Sequence, residues 1–185
     1  MRQIRSFFEL RHAEKQLVAR ALLASGRAYA PYSGFAVGAA VRTRSGSKKT
    51  RIVTGTNLEN AAYPQGICAE VAAIAAANAL GQNDIEAIAV VGHKFTAPRD
   101  ASEIVTPCGR CRQVIFEASK ASGIDIKVFS CNGILTEIVE EPISKLLPVA
   151  FGPQNLGFTK KRLRNMRVTL NRAVSKLLKK TAYKR

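Results

Sequence analysis

Cys68-Ala69-Glu70 and Pro107-Cys108-Gly109-Arg110-Cys111 hold the residues of this 185-residue chain best suited to chemistry. Catalytic zinc takes three protein ligands and leaves its fourth position to water. Cys68, Cys108 and Cys111 offer such a set. Metal-assisted hydrolysis also needs a base that takes the proton of that water and returns it to the leaving group. Glu70, two residues after a candidate ligand, is placed for that task. A closed structural zinc site normally takes a fourth ligand, and neither His12 nor His93 has comparable spacing. A lone CxxC is a weak signal. CxE at one helix start together with PCxxC at another is a strong one. Cys131 is left over and reads as a small residue at a strand end.

Both clusters fall at predicted helix starts. Unpaired N–H groups and positive potential there lower thiol pKa values and favour thiolates. Two helix starts aimed at one point would gather the three sulfurs. The first helix is predicted over residues 6–28 from the spacing of Phe7, Leu10, Leu17, Ala21 and Leu22. Strands follow at 35–43 and 51–58, antiparallel and joined by a turn at Ser45-Gly46-Ser47. Residues 59–66 form a loop. From Ile67 to Leu80 almost every residue is small and apolar, so this helix is predicted to lie in close contact with its neighbours.

Residues 85–91 are a short apolar run suited to a buried central strand. A loop leads to the helix that Pro107 opens, which runs to about Ser119. Strands at 124–130 and 134–139 flank Cys131-Asn132-Gly133. Asn-Gly between apolar runs is a hairpin signal, so the last two strands should be antiparallel. A short helix at 143–147 follows, and no repeat is visible. The order of elements predicts a three-layer α/β/α sandwich around a mixed five-stranded sheet.

Apolar residues make up 46% of the chain and charged residues 23%, enough for one cored domain plus an extension. The division falls at 1–153 and 154–185. No run reaches the roughly 18 to 20 apolar residues of a membrane span. The N-terminus lacks the apolar run of a signal peptide, so a cytoplasmic location is expected. Net charge is +16, and residues 154–185 hold eleven Lys and Arg with no Asp or Glu, which leaves +5 on residues 1–153.

Four blocks carry a resemblance: PYSGFAVGAA (31–40), GTNLENAAYPQGICAE (55–70), TPCGRCRQV (106–114) and LLPVAFGPQNL (146–156). With these in this order, the chain resembles the cytidine deaminases, specifically the small homotetrameric type with three cysteine ligands. The resemblance covers about two thirds of the chain. It implies a cytidine deaminase-like fold and one Zn²⁺ per subunit, bound by Cys68, Cys108 and Cys111. It implies hydrolytic deamination of cytidine and 2′-deoxycytidine in pyrimidine salvage. Glu70 would carry protons from the water to N3 and then to the departing amine. Asn57 and Glu59 would hold the ribose 3′ hydroxyl, Phe35 would stack near the base, and the Ala69 N–H would meet the base carbonyl. Ala61, Tyr63 and Phe151 would approach the site across subunit boundaries. Read alone, Asn57 and Glu59 also suit loop caps, the two phenylalanines suit the core, and Tyr63 before Pro64 suits a turn.

One departure from the family pattern stands out. Three thiolates leave a zinc site at formal −1, which weakens its Lewis acidity, and the family often places an Arg directly after the glutamate. This chain has Val71 there. Arg110 or Arg112 is expected to compensate by hydrogen-bonding a ligand sulfur.

Past Gly157 the family pattern ends. Leu163, Met166, Leu170, Val174 and Leu177 recur at helical spacing opposite Lys and Arg. Such a helix could dock on its own protein, support an oligomer, or bind an anionic surface or nucleic acid. Two alternatives to the salvage enzyme remain at this point. One is a deaminase of a modified cytosine nucleoside of the blasticidin type. The other is a nucleic-acid-binding protein acting through its tail. A polynucleotide deaminase is disfavoured, because it must admit a flipped base with chain on both sides.

Overall fold

The computed structural model describes residues 4–44, 51–96 and 101–180. In chain order these form β1 (Ile4–Arg5), α1 (His12–Ser25), β2 (Phe35–Thr43), β3 (Arg51–Thr56), α2 (Ala69–Ala79), β4 (Ile85–Lys94) and α3 (Gly109–Ser122). Then come β5 (Lys127–Cys131), β6 (Ile138–Pro142), α4 (Ile143–Leu146) and α5 (Lys160–Lys180). The expected turn at Ser45-Gly46-Ser47 lies outside the described residues. The chain divides into two compact units, Met1–Ala150 and Phe151–Arg185.

The first unit is a mixed sheet in the order β1-β6-β5-β4-β2-β3. β4 and β5 pair in parallel and the remaining neighbours are antiparallel. Side chains alternate across the sheet, as period-2 geometry demands. Ile88 and Val90 of β4 meet Ala69, Ala73, Ile115 and Ile143 on one face. Ala87, Ala89 and Val91 meet Leu17, Val18 and Ala21 of α1 on the other. The central strand is thus buried on both faces, and the three-layer α/β/α architecture is present.

The sheet has six strands where five are expected. The extra strand is β1, whose two residues pair as Ile4↔Val139 and Arg5↔Ile138. Two residues are too few to show a periodicity. Arg5 secures the strand by ion pairs to Glu140 at 2.5 Å and to buried Glu14 at 3.4 Å. The helix expected over 6–28 is also shorter, because two successive capping carboxylates divide it. Glu9 accepts the Ser6 N–H at 2.6 Å and caps a 3₁₀ turn over Phe7–Glu9. Glu14 accepts the Arg11 N–H at 3.0 Å and starts α1.

β5 and β6 are antiparallel, but not through a two-residue turn. Their ladder closes at Cys131↔Ile138, so residues 132–137 form the connection. Asn132 accepts the Glu137 N–H through Oδ1 at 3.1 Å and donates to Thr136 Oγ1 at 2.8 Å. The asparagine closes a wider loop from its first position, and Leu135 rather than glycine takes positive φ, at 58°.

In the second unit, Gly152 N–H donates to Asn155 Oδ1 at 2.8 Å and precedes a 3₁₀ turn over Pro153–Leu156. Thr159 Oγ1 accepts the Arg162 N–H at 3.2 Å, capping the start of α5. α5 runs 21 residues. Among the described residues no helix is long and apolar enough to cross a membrane.

Candidate active site

Close packing of α2 on the sheet sets the site. A Cβ added at Gly55 of β3 would stand 2.3 Å from Ala73 N and 2.6 Å from Ala69 O. Only glycine lets the helix backbone come this near. Ala69, Ala73 and Ala77 complete the contact, all of them fully buried. Leu58 and Ile67 exchange backbone hydrogen bonds at 2.9 Å, closing the 59–66 loop just ahead of Cys68.

Cys68 is the N-cap of α2 and Cys108 the N-cap of α3, both with extended backbone. Cys111 sits in the first turn of α3. The three sulfurs lie within 4.8 Å of one another. Zn–S bonds of about 2.3 Å in tetrahedral geometry put sulfurs about 3.8 Å apart, so the spacing suits the ion. Soft thiolate donors select zinc over harder cations. Cys111 is buried, Cys68 half-buried and Cys108 exposed. Cys131 lies elsewhere, buried at the end of β5, where burial pushes its thiol up to about 12.

The thiols interact strongly. A hydrogen bond from Cys111 lowers Cys68 to about 6 against the opposing effect of burial, and Cys108 and the charge of Arg110 lower it further. The same bond, burial and the negative charges of Glu70 and Cys68 hold Cys111 well above the ordinary thiol range. One thiolate therefore forms readily and the cluster keeps a proton, which a metal ion displaces. Glu70, in the first turn of α2, is only 4% exposed. Burial raises its carboxyl above the usual carboxylate range, and the charge of Cys68 adds to this against a backbone hydrogen bond. A carboxyl tuned upward suits proton transfer near neutral pH.

The two arginines of α3 are held by carbonyl oxygens and not, as expected, by a ligand sulfur. Arg112 donates through Nε to Pro107 O at 2.8 Å and through Nη1 to Leu146 O at 3.1 Å. It clamps the approach to Cys108 against α4. Arg110 Nη1 donates to Gly66 O at 3.3 Å, linking α3 to the loop before Cys68. Its influence on sulfur is electrostatic, through Cys68.

Asn57 and Glu59 are tied to the start of β2. Asn57 accepts the Val37 N–H at 2.9 Å and donates to Phe35 O at 2.9 Å. Glu59 is half-buried and accepts from Ser33 Oγ at 2.5 Å, Tyr32 N at 2.9 Å and Ser33 N at 3.3 Å. Those bonds hold its carboxyl below the usual range, the Ser33 hydroxyl contributing most. Ser33 escaped sequence reading, since a serine in a turn carries no distinguishing pattern. Phe35 is half-buried, and its ring occupies the space over Gly92 that a side chain would need. Ala61 and Tyr63 are exposed on the 59–66 loop, with the Tyr63 ring 6.0 Å from that of Tyr32. Phe151 belongs to the second unit and is 61% exposed.

Comparison with known proteins adds the family. Residues 11–124 match the profile described as the cytidine and deoxycytidylate deaminase zinc-binding region. A cytidine deaminase of Halalkalibacterium halodurans is 39% identical over 142 residues, covering 77% of this chain and 96% of that protein. The crystal structure of the Burkholderia pseudomallei cytidine deaminase superposes with a TM-score of 0.63 at 35% identity, over 77% of this chain and all of the other. A blasticidin-S deaminase of Bacillus cereus is 32% identical over 116 residues, 62% of this chain and 76% of that protein.

Proposed function

The chain belongs to the cytidine and deoxycytidylate deaminase family, and from that premise we propose that it hydrolyses cytidine and 2′-deoxycytidine to uridine, or 2′-deoxyuridine, and ammonia. The observation that carries this reading is the meeting of three sulfurs at two helix starts with a buried glutamate in the first turn.

Cys68, Cys108 and Cys111 hold one zinc ion per subunit, which when bound supplies an activated water as nucleophile. Glu70 takes the proton of that water, passes it to N3 of the pyrimidine, and returns a proton to the amine as the C4–N bond breaks. Water's oxygen stays on C4, so the products balance as the uracil nucleoside and ammonia. Burial of Glu70 keeps its proton from bulk solvent between transfers. The N–H of Ala69, free at a helix N-terminus, donates to the base carbonyl.

Asn57 keeps one amide hydrogen and one lone pair beyond its bonds to β2, and Glu59 keeps one open lone pair, on Oε1, so both can still meet the ribose 3′ hydroxyl. Their anchoring fixes them before substrate arrives, and Phe35 flanks the base. Exposed Ala61, Tyr63 and Phe151 complete neighbouring sites in a homotetramer. Residues 1–153 form the catalytic domain and 154–185 a basic extension. The enzyme serves pyrimidine salvage in the cytosol.

A second reading shares the site: a deaminase of a blasticidin-type nucleoside, supported by the similarity to the Bacillus cereus protein. Polynucleotide editing finds less support. The antiparallel β5–β6 pair differs from the parallel pair usual in the nucleic-acid branch of the superfamily. Ammonia release from cytidine, deoxycytidine, 5-methylcytidine, blasticidin S, cytosine, adenosine and a short single-stranded oligonucleotide separates these readings. Turnover of the free cytosine nucleosides is expected. Turnover confined to blasticidin S would favour the second reading, and none on any substrate with zinc bound would overturn both.

A further inference from the structure

α5 carries nine Lys and Arg and no acidic residue. Its apolar residues, Val168 excepted, are not scattered. At 100° per residue, Leu163, Met166, Leu170, Ala173, Val174, Leu177 and Leu178 all fall in one arc of about 140°, and the cations fill most of the rest. Most described members of that arc are exposed, Met166 at 51%, Leu170 at 57%, Val174 at 48% and Leu177 at 61%, while Leu178 is half-buried. Arg162 borders the arc and Arg167 falls within one end of it, between Val174 and Leu178, where long cationic side chains bury their stems and keep their heads in water.

Charge selects among the possible occupants. Residues 154–185 bring eleven cations, and residues 1–153 carry a further +5. Net charge opposes docking on the chain's own catalytic unit and on the same helix of a second copy. Nucleic acid would answer the cations but leave the apolar arc wet. An anionic bilayer satisfies both at once, taking the apolar arc below its headgroups and the cations among its phosphates and carboxylates.

We propose that α5 is an interfacial helix that seats this enzyme on anionic lipid surfaces. It lies in the plane of the surface and does not cross it. Attachment leaves the deaminase chemistry unaltered and changes where it takes place. This inference does not depend on which nucleoside is the substrate.

The test is co-sedimentation of the full-length, zinc-loaded protein with sucrose-filled vesicles of phosphatidylcholine alone or phosphatidylcholine mixed with phosphatidylserine. The triple variant Leu170→Ser/Val174→Ser/Leu177→Ser keeps every charge. The triple variant Arg172→Gln/Lys176→Gln/Lys179→Gln keeps every apolar residue. We expect binding to the phosphatidylserine vesicles only, weakened by added salt. Each triple variant should lower the partition coefficient roughly tenfold or more. Nucleoside turnover should stay unchanged in both, which reports intact folding. Three results would overturn the proposal: absence of the protein from the anionic vesicle pellet; binding to single-stranded RNA but not to vesicles, unaffected by the serine variant; and an oligomer that the serine variant dissociates while vesicles bind neither protein.

Discussion

Met1–Ala150 and Phe151–Arg185 put their apolar and charged residues to opposite ends. In the first unit, small residues are buried and charges are paired. Gly55 admits α2 to the sheet, Gly38 admits α1, and Arg5, Glu14 and Glu140 meet in one ionic group. In the second unit, a 21-residue helix turns an apolar arc outward and carries cations with no acid among them. The first sequence is written for contacts within the chain, which determine where its sulfurs stand. The second leaves apolar side chains exposed beside cations that no acid of the same unit balances. A site that depends on packing should fail when packing is disturbed, and a surface helix should not.

The largest effect should come from the ligands. Cys111→Ala leaves two thiols, below the three that catalytic zinc needs. Metal analysis should find zinc well below one per chain, and turnover should fall below detection. Full zinc occupancy in that variant would break the assignment of α3 to the metal. Zinc affinity should also depend steeply on pH. Cys111 holds its proton above the ordinary thiol range, so metal must displace it at neutral pH. Affinity should therefore rise with pH, by roughly tenfold per unit for each proton displaced. Competition with a chelator between pH 6 and 8 measures this, and a flat profile would mean that the thiols are already ionised.

Packing comes next. Gly55→Val should cost about 3 kcal/mol or more, because the backbone of α2 must move away from β3. Zinc affinity should drop with stability, since Cys68 and Glu70 ride on that helix. Gly38→Val is the sharper comparison. Its Cβ would stand 2.0 Å from Ala21 O on the opposite face of the sheet. It should destabilise the fold as much but, in the fraction still folded, leave zinc affinity unchanged. Thermal melts with and without added zinc separate the two.

The sequence shows the reasons for these effects unevenly. The three thiols and Glu70 were legible because helix starts can be read from local pattern, and two of them with this spacing leave few arrangements. The apolar run of β4 and the small-residue run of α2 likewise announced a buried sheet with a close-packed helix. β1 was not legible, since Ile4 and Arg5 gain their pairing from Val139 and Ile138, far along the chain. The Asn132-Gly133 pair misled about its turn because Asn132 closes a six-residue loop through its side chain. Arg112 failed the same way: nothing local shows that Leu146 O will be its partner.

Smaller effects test the electrostatics. Arg110→Ala should raise the Cys68 pKa above its lowered value near 6 and weaken zinc binding twofold to threefold. Thiol alkylation of the zinc-free protein across pH reads the first, and an unmoved midpoint would remove Arg110 from the site. Smallest of all, Arg172→Gln in α5 should change stability by less than about 0.5 kcal/mol and leave turnover alone. A large loss from that single change would contradict the exposed role assigned to Arg172.

The most direct test of the central claim is Glu70→Gln, with zinc content and cytidine turnover measured on the same preparation. The substitution keeps size and removes the ability to carry a proton. Zinc should stay at one per chain while turnover falls about a thousandfold or more, the upper range for loss of a general acid–base group. Turnover within tenfold of the parent, with zinc bound, would contradict the account, because the proton would then travel by another route.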